Sequence, residues 1–137
     1  MNLLDTLSVT ASGLTAQRVR LQTVASNMAN ARTTRTEEGG PYKRRMPVFR
    51  SNGPDFGDAL DQAIARVEVT EIAESDDPPV QVFDPGHPDA DADGYVAYPN
   101  VNVLEEMVDM MLTARTYEAN TKVVEVTRGM ANTALEI

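Results

Sequence analysis

Residues 21–40, "LQTVASNMANARTTRTEEGG", decide how this chain is read. Up to Met28 the apolar side chains return at helical spacing. Then Asn27 and Asn30 interrupt, and from Arg32 the pattern dissolves into Thr, Arg and Gly. Asparagine is a poor interior helix former because its side chain competes for backbone hydrogen bonds. Either a helix ends here or the amides meet something. Asn27 and Asn30 lie one turn apart and share a face. Asn30 suits a C-terminal cap, where asparagine accepts left-handed geometry. That leaves the amide of Asn27 for a neighbouring chain or for the Tyr117–Asn120 region.

Upstream, Leu7, Leu14, Leu21 and Met28 recur every seven residues, with Leu4, Ala11, Arg18 and Ala25 three positions before each. This is a heptad seam with large residues at d and mostly small ones at a, widened by Leu3 and Val24. The helix it predicts, from about residue 4 to 30, is roughly 40 Å long. The C-terminal segment repeats the pattern. Val103, Met110, Tyr117, Val124 and Ala131 form one series; Met107, Ala114, Thr121, Arg128 and Leu135 form the other. Gly129 is its weak interior position. Both seams are narrow and rich in Ala, Thr and Met, so two such helices alone bury modest apolar area. Further chains can complete them. The candidate subunit-packing residues are Leu4, Leu7, Ala11, Leu14, Leu21 and Met28 on the first helix. On the second they are Val103, Met107, Met110, Ala114, Val124, Ala131 and Leu135.

Between the helices the composition changes. All eight prolines lie between Pro41 and Pro99, and six of the seven aromatics between Tyr42 and Tyr98. The expected architecture is mainly α, with long N- and C-terminal helices packed as a coiled-coil-like pair and a small β-rich, loop-rich middle module. The divisions read as a terminal assembly helix over 1–33, the module over 34–100 and a second assembly helix over 101–137. "VEVTEI" (67–72), "VQVFDP" (80–85) and "GYVAYPNVNV" (94–103) read as strands, and "DALDQAIARV" (58–67) as a short helix with Leu60, Ile64 and Val67 on one side.

Charge is divided too: residues 1–50 carry a net +5 and residues 51–137 a net −14, giving −9 in all. The one basic cluster, Lys43-Arg44-Arg45, is too small to make nucleic acid a partner of so acidic a chain. Absence of cysteine removes disulfides and thiolate metal sites. The first residues, with Asp5 early and spaced apolar positions, do not read as a Sec-type signal, and no run approaches the length of a membrane span.

Chemistry is scarce. "DADADG" (89–94) opens like an EF-hand calcium loop, but position 12 is Asn100 instead of a bidentate Glu, and Pro99 precedes it. A solvated Asp-rich turn is the better reading. His87, the only histidine, sits in the loop "DPGHPD" with no cysteine, glycine-flanked serine or second histidine to complete a site. No enzyme, cofactor, metal or small-molecule substrate is indicated.

Three stretches carry a resemblance. "ASNMANARTT" resembles the S-N-x-A-N-x-x-T signature of the flagellar rod and hook family, with Ser26, Asn27, Ala29, Asn30 and Thr33 on it. "GYVAYPNVNVLEEMVDMM" and "ARTYEANTKVVEV" resemble that family's C-terminal element, through Glu106, Met107, Arg115, Tyr117, Ala119 and Asn120. The short length, "PGHPDADADGYVAYPNV" and Tyr42 in "GGPYKRR" are most similar to its proximal rod members. "DFGDALDQAIARVEV" departs from the Gly-rich lead the resemblance implies. The resemblance implies a structural subunit that polymerises with itself and other rod proteins into the axial drive shaft around the export channel. It also implies export without cleavage through the flagellar type III apparatus, a periplasmic rod position in the basal body, and neighbours at the membrane ring. Assembly-coupled folding follows, because one hairpin with such seams does little to offset the entropy of ordering two long segments. The competing readings are a soluble coiled-coil adaptor or export chaperone, or another axial rod subunit.

Overall fold

In the computed structural model, residues 3–52 and 65–135 of the 137 are described. Helix α1 spans Leu3–Ala29 and helix α2 spans Val103–Leu135. Among the described residues, four strands lie between them: β1 (Arg45–Asn52), β2 (Arg66–Glu74), β3 (Val80–Phe83) and β4 (Tyr95–Tyr98). They pair as two separate antiparallel two-stranded sheets, β1 with β2 and β3 with β4.

The helices lie antiparallel. Arg20 of α1 reaches Asp109 of α2, Asn27 reaches Glu106, and a Cβ built on Gly13 would stand 3.5 Å from Nδ2 of Asn120. On α1 the buried line is Ala16, Thr23, Val24 and Asn27. On α2 the buried residues are Glu106, Thr113 and Thr127. With Asn120 they repeat every seven residues, one position before the series that begins at Met107. The face α2 turns towards α1 is therefore polar at each of these steps. Two buried threonines, Thr23 on α1 and Thr113 on α2, show how such a face can close. Thr23 Oγ1 donates to the Val19 carbonyl (2.9 Å) and Thr113 Oγ1 to the Asp109 carbonyl (2.6 Å). Each hydroxyl is satisfied inside its own helix, so the side chain can be buried without an orphaned donor.

Large apolar side chains are instead turned outward. Leu104, Val108, Met111 and Leu112 are exposed on the first half of α2, and Val123, Val126 and Met130 on the second. Leu104 is 70 % exposed, and Met111 and Leu112 are each 61 % exposed. Their i, i+4, i+7 spacing makes a stripe along one side of the helix. Two i, i+3 ion pairs lie on the same outward side, Arg115–Glu118 at 3.1 Å and Lys122–Glu125 at 2.8 Å. The Glu125 hydrogen bond, and then its charge, raises the pKa of Lys122 above the ordinary lysine value.

The strand readings at 67–72, 80–85 and 94–103 fall on β2, β3 and β4. The helix expected over 58–67 lies largely outside the described residues, and its last two residues, Arg66 and Val67, open β2 instead. Strand β1 has no counterpart in the sequence reading. Its basic flank and Pro47 mask a strand that bulges between Val48 and Phe49. A proline is tolerated there because, among the described residues, β1 pairs on one side only.

The connection from β3 to β4 is a turn built by its own aspartates. Asp91 Oδ1 accepts from the backbone amides of Asp93 (3.0 Å) and Tyr95 (2.8 Å). His87 Nδ1 accepts from the Asp89 amide (3.1 Å), and its ring meets Tyr98 edge-on. Gly94 closes the turn at φ 83°, where a Cβ would lie 2.9 Å from Cε2 of Phe83, so glycine is required on both counts.

Candidate functional site

Three chain segments converge on the side chain of Asn27, which is 1 % exposed. Its Oδ1 accepts from the Tyr42 hydroxyl and from the Arg45 amide, both at 2.9 Å. Its Nδ2 donates to the Arg45 carbonyl at 2.9 Å and to Glu106 Oε2 at 3.0 Å. The primary amide thus grips both polar groups of Arg45, much as a neighbouring strand would. The spare amide expected at Asn27 is fully used within the chain, and its partner on α2 is Glu106 and not the Tyr117–Asn120 region.

Glu106 is likewise 1 % exposed. Besides Asn27 it receives Nε of Arg44 on Oε1 at 2.6 Å. Burial of a carboxylate is expensive unless it is paired and hydrogen-bonded, and here both oxygens have donors. Local sequence delivers it to this spot. Asn102 caps α2, its Oδ1 accepting the Leu104 amide at 3.1 Å, and Glu106 begins the hydrogen-bonded ladder by donating its amide to the Asn102 carbonyl at 3.0 Å. The cap aims the first turn of α2 at the last turn of α1. One helical turn further, Arg20 pairs with Asp109.

The end of α1 is finished by the rest of the Asn motif. Asn30 donates its side-chain amide to the Ser26 carbonyl at 2.9 Å and accepts from Thr33 Oγ1 at 3.2 Å. No non-glycine residue among those described has a positive φ, so Asn30 closes the helix by side-chain bonding and not by a left-handed cap. The Tyr42 amide donates to the Thr33 carbonyl, folding the loop back. The turn at Gly39 and Gly40, with φ 87° and 78°, brings Tyr42 under α1. A second tie joins this loop to the β3–β4 turn: Thr34 Oγ1 donates to Asp89 Oδ2 at 2.8 Å, and Arg35 pairs with Asp89 at 2.8 Å.

The site therefore has two parts: a buried polar junction that joins α1, β1 and α2, and an outward apolar stripe on α2. Sequence comparison says which kind of protein is built this way. Residues 7–35 match the family described as "Flagella basal body rod protein", and residues 92–137 match "Flagellar basal body rod FlgEFG protein C-terminal". The chain is 42 % identical to the "Flagellar basal-body rod protein FlgC" of Borreliella burgdorferi, across 100 % of this chain and 98 % of that protein. The chain belongs to the flagellar basal-body rod protein family. It is 43 % identical to the FlgC of Bacillus subtilis, across 100 % of the chain and 99 % of the relative. Against the FlgC of Salmonella typhimurium it is 40 % identical, across 95 % and 93 % respectively. As a member of this family the chain is a structural rod subunit of the flagellar basal body.

Within this rod subunit the motif residues separate by role. Asn27 builds the junction, Ser26, Asn30 and Thr33 finish the end of α1 beside it, and Ala29 is exposed. Arg115, Tyr117 and Ala119 are exposed on α2, and Asn120 faces Gly13. Of the heptad residues, Leu7, Leu14, Leu21 and Met28 are half-buried along α1, while Leu4 and Ala11 are exposed. On α2, Met110, Ala114, Val124 and Ala131 are half-buried, while Val103, Met107 and Leu135 are exposed. Arg44 was not distinguishable in the sequence from its neighbours in the basic cluster. The available signal was its counterpart, an acid at Glu106 whose position falls on the inner face of α2.

Proposed function

We propose that this subunit polymerises through its two terminal helices, with copies of itself and with other rod proteins, into the torque-transmitting shaft around the export channel. In that reading residues 1–33 and 101–137 are the assembly helices, and residues 34–100 form the module they carry. The chain reaches the periplasmic rod without a cleaved signal, through the flagellar type III export apparatus, and meets basal-body components at the membrane ring. Its role is structural and not catalytic.

The observation that supports this most is the distribution of apolar surface on α2. A helix that faces its own partner with Glu106, Thr113, Asn120 and Thr127, yet exposes Leu104, Val108, Met111 and Leu112, is built to be covered by something else. Family membership supplies the kind of neighbour. Tagged protein should co-purify with detergent-extracted basal bodies and resist salt extraction. Recovery wholly in the soluble fraction, bound to a single export client, would favour an adaptor or chaperone.

Ordering of the helix ends is coupled to assembly. The junction pins one end of the hairpin, whereas the ends near Leu4 and Leu135 have little buried against them. Amide exchange in the free subunit should be slowest near Asn27 and Glu106 and should quicken towards both far ends, with the gradient lost in the rod. Uniform protection along both helices of the free chain would count against this coupling.

A further inference from the structure

We propose that the Asn27–Glu106–Arg44 junction is a register key: it fixes the axial and rotational setting of α2 on α1, a task that apolar knobs perform in most helix pairs. The buried part of the contact face lacks such knobs. Among the described residues the buried positions of α2 are Glu106, Thr113 and Thr127, and those of α1 are Ala16, Thr23, Val24 and Asn27. Val24 is the one large apolar side chain in this set. Small and threonine side chains interlock less than large apolar ones, so this buried line alone does little to resist a slide by one helical turn, about 5.4 Å.

The same slide is not neutral at the junction. Both oxygens of Glu106 and all the hydrogen-bonding capacity of Asn27 are committed, with bonds of 2.6–3.0 Å. Displacing α2 by a turn would bury Glu106 without Arg44 and leave the Asn27 amide short of an acceptor. Buried polar groups that can be satisfied in one alignment only are the best-attested means of specifying register. The consequence reaches the outward face. Wherever α2 is set, its stripe of Leu104, Val108 and Met111 is set too, so the key decides what a neighbouring subunit meets. This consequence rests on the assembly reading above; the register itself does not.

The absence of cysteine makes the test direct. In the full-length chain, Gly13→Cys with Asn120→Cys reports the native register, because the Asn120 side chain points at Gly13, its Nδ2 3.5 Å from a Cβ placed there. Gly13→Cys with Thr116→Cys or with Val124→Cys reports a slide of one turn either way. Each pair is oxidised in two backgrounds, the otherwise native chain and Arg44→Met with Glu106→Met, which removes both charges together and leaves neither one buried alone. The native pair should form roughly tenfold faster than the offset pairs in the first background, and at most about twofold faster in the second, with helix content kept. Unchanged selectivity in the second background would overturn the key. Loss of helix content there would overturn it as well, since the junction would then hold the fold and not its alignment. Because the measurement is made on the free chain, either result leaves the rod assignment standing.

Discussion

Replacing Asn27 by alanine should lower the unfolding free energy of the free chain by about 3–5 kcal/mol, measured by urea denaturation. The size follows from the number of partners stranded in one place. The Arg45 amide and carbonyl, the Tyr42 hydroxyl and Glu106 all lose their bond to the same buried amide. A loss of this order is a large share of the stability of a small domain. Asn30→Ala is the control, since Asn30 makes two bonds at a half-buried position and its loss should cost about 1 kcal/mol. Equal effects from the two substitutions would show that the junction is no more than a helix end.

The second large effect concerns assembly and not folding. Val108→Asp with Met111→Glu puts two carboxylates into the exposed stripe of α2, where neither residue is buried in the free chain. The circular dichroism and urea midpoint of the subunit should stay close to native. Basal bodies recovered from cells should fall by roughly tenfold or more, because charge in the desolvated centre of an interface removes most of its binding energy. Glu118→Gln, which touches only an exposed ion pair with Arg115, should leave swimming unchanged. Swimming at normal speed in the double carboxylate variant would mean that this stripe is not an assembly surface.

The helices were legible because heptad spacing survives in a single sequence. What it did not disclose was which side of each heptad faces inward. Large residues such as Met107 and Val103 invite placement in a hairpin seam, yet both are exposed, while the inner line runs through Glu106 and Thr113. Hydrophobic periodicity reports the faces that will be buried somewhere, without saying by which chain. Under the proposed assembly those are different faces. The partner of Asn27 was hidden for another reason: Glu106 lies 79 residues away, and nothing local announces the pairing. Strand β1 escaped because Lys43, Arg44 and Arg45 read as a solvated run, although Arg44 turns in to Glu106 and Arg45 pairs with Glu74 on β2. The Asp-rich turn was read correctly as a turn, and the structure adds that Asp91 is what makes it one.

The grip of Asn27 on Arg45 also limits which chemical isosteres the position can hold. Asparagine is the one side chain of its size that offers two donors and two acceptor sites in a single plane, and here every one of them is engaged. Aspartate has the same shape but no donor, and would set a second carboxylate against Glu106 and a carbonyl of the backbone. Leucine has the volume and none of the valence. Glutamine has the groups on a stem one carbon too long. Direct hydrolysis of this one amide to aspartate would therefore turn this joint of the subunit into a point of repulsion with little change in its outline.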